Sequence, residues 1–406
     1  MHLQRRISRR AVSLGLAGAI AGASTAHARQ GISPYAEATP VEPAADALGW
    51  RIGEVTALDL EGAPCALSPD GQWLAGVGPD REFCIWSTVD LQPTLVPFQE
   101  AIDVDSIAWA PDSTAVAFGV EAFRHGIDGD IFVYELADET IRNLTDDGFD
   151  GGYFMTDETE SFPIDVMPAW TADSQAVVFA RSPWGDVESI PTDIALIPRA
   201  GGDVETLMSV EARPFSIFTP MRVLADGSIV YTFASSDVDD PMNGIWHLDP
   251  DGTTTLLVPG TSTADYPTPV LLDAWADSSE LRVAALSAPV FNALDANRPW
   301  LFTWSSNEDE PVAIGPMDVQ DPVRPFSACW SPDGGTMLVI GRLPQDQGET
   351  VETVGPVSEL TILPEATGGS SLGPRWIRPF WSAGNAVFIP AIGGAPYLVT
   401  MSPVES

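Results

Sequence analysis

The chain has 406 residues, of which 19 are basic and 57 acidic, giving a formal net charge of −38. Every one of the 19 is arginine, and there is no lysine. A charge of this size repels polyanions, so the composition disfavours nucleic acid and anionic membranes as partners and favours a protein or a small neutral or cationic ligand.

The N-terminus has the pattern of an export signal. Four arginines (Arg5, Arg6, Arg9 and Arg10) precede an apolar run over residues 11–23, and Ala26-His27-Ala28 is typical of a cleavage site. Ser8-Arg9-Arg10 resembles a twin-arginine signal, with the general secretory route and an uncleaved anchor as alternatives. We therefore predict a signal peptide over residues 1–28, cleavage near Ala28 and an extracytoplasmic protein, secreted or held in the periplasm or cell envelope.

Residues 29–48 are rich in Ala, Pro and Glu without apolar periodicity, which predicts a disordered linker. After cleavage the charge becomes 15 − 57 = −42, because residues 1–28 contain four arginines and no acid. No later segment has the length and apolarity of a membrane span. Residues 49–406 are therefore expected to form a single soluble domain, which we expect to be monomeric.

One phrase recurs along this domain: an aromatic residue or Leu, then Ser/Ala-Pro-Asp-Gly or a variant, then a β-rich run. We call it the turn phrase. Clear copies contain Asp112, Asp173, Asp226, Asp277 and Asp333, and weaker copies contain Asp70 and Asn385. Successive copies are 42 to 61 residues apart (112 − 70 and 173 − 112). Repeats on this scale indicate a solenoid, an array or a propeller.

The order of strand-like runs and turns within one repeat favours the propeller. The turn phrase joins two β-rich runs tightly, and a third run such as DIFVYEL follows, as expected for antiparallel strands. The last repeat offers only three strands, whereas residues 52–60 form a β-like run without a turn phrase. We therefore predict an all-β, seven-bladed β-propeller in which this N-terminal strand completes the last blade, with six blades as the alternative.

The phrases LSPDGQWLA, WAPDSTAVAF and WSPDGGTML resemble the repeats of the TolB-like, WD-repeat-like β-propeller superfamily, in an exported bacterial form. FCIWS at 83–87 is similar to the third strand of a WD repeat, although the Gly-His and Trp-Asp pairs of true WD repeats are lacking. The resemblance covers most of the chain after residue 49. It implies a propeller and a range of roles that includes periplasmic interaction proteins, peptidase gating domains and scaffolds.

Long insertions fall where the second strand joins the third and where one blade joins the next, so one rim of the ring is rich in loops. Loops at the mouth of a rigid ring are the default place for binding. They also carry Asp130 and Arg181. The candidate ligand-binding residues of this rim are Arg124, His125, Asp128, Trp184, Asp239, Asp240, Asn297 and Arg298.

Two acidic segments are weak candidates for calcium. Asp146, Asp150 and Asp157 partly follow the spacing of a calcium loop, and residues 237–240 contain three aspartates. Solvated acidic loops are the better explanation of both segments, so we predict no cofactor, with Ca²⁺ as the alternative. Zinc is disfavoured because the mature chain has two histidines and no paired Cys motif.

No nucleophile elbow, His-Glu-x-x-His motif or phosphate loop occurs in the sequence. The sequence therefore favours a non-enzymatic, exported propeller that binds a protein or a small extracellular ligand at its loop-rich rim. The alternative is a secreted hydrolase or lyase acting on glycans or lactones. In that alternative the rim carboxylates and His125 carry the chemistry, with Ca²⁺ as an optional cofactor.

Overall fold

The computed structural model describes most of the chain after residue 48. The described residues are 49–120, 129–148, 162–184, 191–211, 217–235, 237, 239–260, 269–287, 300–308, 311–314, 324–342, 349–355, 360–363, 379–390 and 395–404. The signal peptide and linker predicted for 1–48 lie outside them. Within them, no helix has the length and apolarity needed to cross a bilayer.

The described strands form seven antiparallel sheets of four strands each, one per blade. The first strand of the chain, β1 (Trp50–Ala57), belongs to the last blade. Blades 1 and 2 contain β2 (Ala63–Leu67), β3 (Trp73–Val77), β4 (Phe83–Ser87), β5 (Pro93–Leu95), and then β6 (Ala108–Trp109), β7 (Ala115–Gly119), β8 (Ile131–Glu135), β9 (Thr140–Asn143). A short 3-10 helix (Val104–Ser106) lies between them.

The remaining blades follow the same order along the chain. Blade 3 contains β10 (Phe162–Trp170), β11 (Ala176–Trp184), β12 (Thr192–Pro198) and β13 (Glu205–Val210), and blade 4 contains β14 (Ile217–Val223), β15 (Ile229–Ala234), β16 (Gly244–Leu248) and β17 (Thr254–Pro259). Blade 5 contains β18 (Pro269–Ala276), β19 (Leu281–Ser287), β20 (Trp300–Ser305) and β21 (Val312–Ile314). Blade 6 contains β22 (Arg324–Trp330), β23 (Met337–Arg342), β24 (Glu349–Val354) and β25 (Leu360–Ile362), and blade 7 contains β26 (Phe380–Trp381), β27 (Ala386–Ile389) and β28 (Tyr397–Pro403).

Closure of the ring follows the prediction. Strand β1 pairs antiparallel with β28, from Trp50 opposite Pro403 to Ala57 opposite Tyr397. The last sheet has the order β1-β28-β27-β26, so the N-terminal strand is its outermost strand. The prediction of an all-β propeller with seven blades is confirmed, and six blades is excluded.

The turn phrases also tie neighbouring blades together. The hydroxyl of Ser113 accepts a hydrogen bond from the amide of Asp70 in the preceding blade (3.0 Å), and Ser174 accepts one from Asp112 in the same way (3.0 Å). The indole N–H of Trp170 donates to the carbonyl of Ala108, again one blade back (2.9 Å). The repeated residues therefore fix each blade against its neighbour as well as shaping their own turn.

The antiparallel order separates the two ends of the ring. Turns between first and second strands lie at one end, which we call the turn end. Connections between second and third strands, and those between blades, lie at the other, which we call the loop end. Between the blades the core is apolar, with Trp86, Trp109 and Trp381 fully buried.

A charged pair lies within this core where blades 4, 5 and 6 meet. The guanidinium of Arg222 in β14 donates from Nε to Asp273 Oδ1 in β18 (2.9 Å), and both side chains are 1% exposed. It also donates from Nη2 to the carbonyl of Leu272 (3.1 Å). The other carboxylate oxygen of Asp273 accepts the amide of Trp330 in β22 (2.9 Å). One ion pair therefore connects three inner strands.

Gly334 provides a test of the packing at the turn end. It has a φ of +66°, and a Cβ there would lie 2.3 Å from the indole ring of Trp275 in the neighbouring blade. That ring is held by a hydrogen bond to the carbonyl of Pro332 (3.0 Å). Gly334→Ala is expected to lower the free energy of unfolding by about 2–4 kcal/mol, because the clash adds to backbone strain.

The matched control for that substitution is Gly252→Ala. Gly252 also has a positive φ (+86°), but no neighbouring atom lies within 4 Å of its added Cβ. Strain alone predicts a loss of about 1 kcal/mol. Urea denaturation of both variants measures the difference, and equal losses would show that the Gly334 backbone does not approach Trp275 as described.

Candidate functional site

Three chain segments meet at the loop end between blades 2 and 3. Asp130 immediately precedes β8, Asp165 lies near the start of β10, and Arg181 lies near the end of β11. The amide of Asp165 donates to the carbonyl of Gly129 (2.7 Å), which joins blade 3 to blade 2 at this point. We call Asp130, Asp165, Arg181 and Thr145 the blade 2/3 site.

Asp165 and Arg181 form a bidentate ion pair. They are opposite each other in the register of β10 and β11, so their side chains share one face of the sheet. Arg181 donates from Nε to Oδ1 (2.7 Å) and from Nη2 to Oδ2 (2.6 Å). The Asp165 side chain is 3% exposed and that of Arg181 is 26% exposed. The carboxylate is therefore enclosed, while part of the guanidinium reaches the surface.

Asp130 is half-buried and is held by two side chains from the end of blade 2. Asn143 Nδ2 donates to one carboxylate oxygen (2.7 Å), and Thr145 Oγ1 donates to the other (3.1 Å). Thr145 Oγ1 also accepts the amide of Ile131 (2.9 Å). These contacts fix the direction in which the Asp130 carboxylate points.

The two carboxyl groups have raised pKa values. Burial is the main cause at Asp165, where it raises the pKa to about 6, although the hydrogen bond and charge of Arg181 oppose the shift. Burial also raises the pKa of Asp130; Asn143 and Thr145 oppose this, and Asp147 and Asp146 add to it. Carboxyl groups that titrate closer to neutrality are suited to proton transfer at physiological pH.

The raised pKa of Asp165 predicts a pH-dependent stability. The folded chain binds this proton more tightly than the unfolded chain, whose Asp pKa is about 3.9. The contribution of Asp165 to the free energy of unfolding therefore falls as the pH rises from about 4 to about 6, by an amount on the order of 2–3 kcal/mol. We expect the free energy of unfolding of the wild type, minus that of Asp165→Asn, to decrease by that amount across this window.

The measurement is urea denaturation of both proteins at several pH values. Groups whose pKa does not depend on Asp165 titrate alike in both proteins and cancel in the difference. A difference that stays flat or grows with pH would mean that Asp165 has an ordinary or a lowered pKa in the folded chain.

Several predicted rim residues cannot be compared with the structure. Arg124, His125, Asp128, Asn297 and Arg298 lie outside the described residues, as do Asp150 and Asp157. Trp184 is the last residue of β11, where its backbone is opposite Phe162. The segments 121–128, 149–161 and 185–190 adjoin the blade 2/3 site in the chain, because they end or begin within four residues of Asp130, Asp165 and Arg181.

The acidic loop over residues 237–240 uses its oxygens within the chain. Asp237 Oδ1 accepts the amide of Asp239 (3.0 Å), and Asp240 Oδ1 accepts the amide of Met242 (2.9 Å). Asp239 is exposed, whereas Asp240 is buried. Asp146 accepts the amide of Gly148 (2.9 Å). Across the described ranges, no group of three or more His, Cys, Asp or Glu side chains is arranged to hold a metal ion.

Asp130 and Arg181 were predicted to lie on the loop-rich rim, whereas Asp165 was not singled out. The signal was present in the segment Phe162-Pro163-Ile164-Asp165, where an acidic residue follows directly on apolar residues that begin an inner strand. An acid in such a position needs a partner in order to be buried. Arg181, which the strand pairing brings opposite it, is that partner.

No protein-family model matches the chain, and no curated protein matches it in sequence. Solved structures are similar to it in fold. An oligogalacturonate lyase in complex with manganese has a TM-score of 0.54 and 10% identity, over 86% of this chain and 91% of that one. An oligogalacturonate lyase from Vibrio parahaemolyticus has a TM-score of 0.55 and 11% identity, over 87% and 96%. A prolyl endopeptidase has a TM-score of 0.49 and 14% identity, over 100% and 57%.

The two lyases share the propeller fold, which agrees with the TolB-like resemblance. They also overturn the prediction of a non-enzymatic binding protein, because they are enzymes that this chain matches over nearly their whole length. The prediction that the chain is not an enzyme was wrong for a physical reason. It relied on the lack of a local motif, whereas a propeller assembles its sites from distant segments.

Proposed function

We propose that the chain is an exported, glycan-active lyase that cleaves uronate-containing glycans by β-elimination at the blade 2/3 site. The observation that carries the proposal is the arrangement of Asp130, Asp165 and Arg181 at the loop end. The likeness to two oligogalacturonate lyases supports the reaction class. The arginine-rich, apolar N-terminus with Ala26-His27-Ala28 supports export.

β-Elimination breaks the bond between C4 of a uronate and the glycosidic oxygen. A base removes the proton from C5, the C5–H electrons form the C4–C5 double bond, and the C4–O electrons leave with the oxygen, which then takes up a proton. No electrons are gained or lost overall. The enzyme must supply a base, a group that stabilises negative charge on the carboxyl oxygens, and a water-excluding surface.

Asp130 is the best placed base, because its carboxylate is half-buried, has a raised pKa and is fixed by Asn143 and Thr145. Arg181 is the group that meets the uronate carboxyl. Its two bonds to Asp165 use two of the five N–H groups of a guanidinium, and its side chain is partly exposed. Asp165 is too enclosed to touch a glycan and acts as a positioning residue for Arg181.

One of the similar lyases contains manganese, which makes a metal a relevant question for this fold. The described residues of this chain do not fit a metal centre. No three ligand side chains converge among them, and both oxygens of Asp130 already accept hydrogen bonds. The steps above are assigned to side chains that the structure describes, and none of them is routed through a metal.

The test is incubation of the mature protein with a panel of oligomeric and polymeric uronate glycans, both as free acids and as methyl esters. The proposal predicts ultraviolet absorbance from an unsaturated uronate that rises in step with new reducing ends. New reducing ends without this absorbance would indicate hydrolysis and contradict elimination. If no glycan of the panel gives new reducing ends, the proposal is contradicted.

A further inference from the structure

The surroundings of Arg181 are strongly acidic. Asp165 neutralises its charge through two hydrogen bonds, and Asp147 and Asp193 are near enough for their charges to act on it. Asp193 in β12 is also directly opposite Arg181 of β11 in the strand register. Three carboxylates therefore offset the positive charge of the guanidinium before any substrate binds.

The surroundings of Asp130, on the other side of the site, are acidic as well. Asp146 and Asp147 repel its carboxylate, and Glu100 lies near enough for its charge to interact with that of Asp130. The neighbouring charges that shift the pKa values of Asp130 and Arg181 most are negative: Asp146 and Asp147 act on Asp130, and Asp165, Asp147 and Asp193 act on Arg181. The formal charge of the whole chain is −38, so the long-range field has the same sign as the local one.

A free uronate would bring a further negative charge into this environment. Removal of its C5 proton would then give a dianion, since the carboxylate already carries one charge before the base acts. An alkyl ester of the same uronate is neutral. Its deprotonation gives a monoanion on the carbonyl oxygen, and one guanidinium N–H can meet that oxygen without displacing Asp165.

We propose that the uronate glycan that this site accepts is esterified at its carboxyl group, so that the substrate is neutral where it meets Arg181. The inference rests on the proposed lyase function and specifies its substrate class. Asp130 takes the C5 proton of the ester, Arg181 donates to the ester carbonyl, the C4–O bond breaks and the C4–C5 double bond forms. The ester group remains intact in the unsaturated product.

The experiment compares one galacturonate oligomer of fixed length as the free acid and as its full methyl ester, at low and at high salt. At low salt we expect kcat/KM for the ester to exceed that for the acid by about 10-fold or more, and the ratio to shrink at high salt as the carboxylates are screened. Asp147→Asn should raise kcat/KM for the acid by a larger factor than it changes kcat/KM for the ester, so that the ratio of ester to acid falls. Asp251→Asn, at the turn end, should change neither.

Each outcome has a separate meaning. Equal or faster turnover of the acid at low salt, or a ratio that salt and Asp147→Asn do not move, overturns the ester proposal and leaves the lyase in place. Turnover of neither compound overturns the ester proposal, and the lyase proposal fails with it if the wider panel of uronate glycans also gives no new reducing ends. Tighter equilibrium binding of the ester than of the acid to Asp130→Asn supports the inferred substrate class without requiring turnover, and the reverse order contradicts it.

Discussion

Replacing Arg222 by alanine is expected to lower the free energy of unfolding by about 3–5 kcal/mol, the largest effect on stability predicted here. The substitution leaves the carboxylate of Asp273 without its ion-pair partner at a position that is 1% exposed. It also leaves the carbonyl of Leu272 without a donor that it has in the wild type. Burying an unpaired charge costs much more than the pair itself contributes.

Two further variants distinguish this cause from a general loss of packing. Arg222→Met with Asp273→Leu removes both charges and should recover a large part of the lost stability. Arg142→Ala removes an exposed arginine that donates to the carbonyl of Arg199 (2.8 Å), and should cost about 1 kcal/mol or less. A double variant that is no more stable than Arg222→Ala would show that charge burial is not the cause.

Replacing Asp130 by asparagine is expected to lower kcat for the elimination by about 10²- to 10⁴-fold, since the base is lost while shape is kept. Asn143 and Thr145 donate to the carboxylate in the wild type, and one amide oxygen remains to accept from them. Steady-state kinetics on the best uronate substrate measure the effect. The thermal unfolding of the variant should stay within a few degrees of the wild type.

The control is Asp251→Asn, because Asp251 is an exposed aspartate that accepts the amide of Thr253 (2.9 Å) at the opposite end of the ring. Its kcat should change by less than about 2-fold, because Asp251 lies at the end of the ring opposite the site. A rate ratio of that size corresponds to a few tenths of a kcal/mol. If Asp130→Asn and Asp251→Asn have the same activity, the base lies elsewhere and the assignment of Asp130 is wrong.

The fold could be predicted because its signals are local. Each turn phrase has its own structure: in the first copy, Asp70 Oδ1 accepts the hydroxyl of Ser68 (2.6 Å) and the amide of Gln72 (3.0 Å). A repeated local turn fixes the number of blades. The pairing of β1 with β28 spans almost the whole domain, yet it follows from counting three strands in the last repeat.

The buried ion pair could not be predicted in the same way. Arg222 and Asp273 are 51 residues apart and lie in the inner strands of adjacent blades. Within its own strand each reads as a polar residue among apolar ones, as expected for a position that faces solvent. Only the radial packing of the two blades brings them together and buries both.

The candidate site was predicted in part. Loop lengths identified the loop end, and they placed Asp130 and Arg181 on it. The contact between Asp165 and Arg181 depends on the register of β10 and β11, and that register contains a bulge between Val166 and Ala169 that the sequence does not mark. Function was misjudged for the same reason, because these residues come from separate segments and form no motif.

The site assignment is tested most sharply by a crystal structure of Asp130→Asn with a bound oligomer of an esterified uronate. We expect the saccharide to lie at the loop end between blades 2 and 3, with a carboxyl oxygen within hydrogen-bond distance of Arg181 and with C5 facing residue 130. A saccharide bound at the turn end, or at the loop end away from these residues, would contradict it.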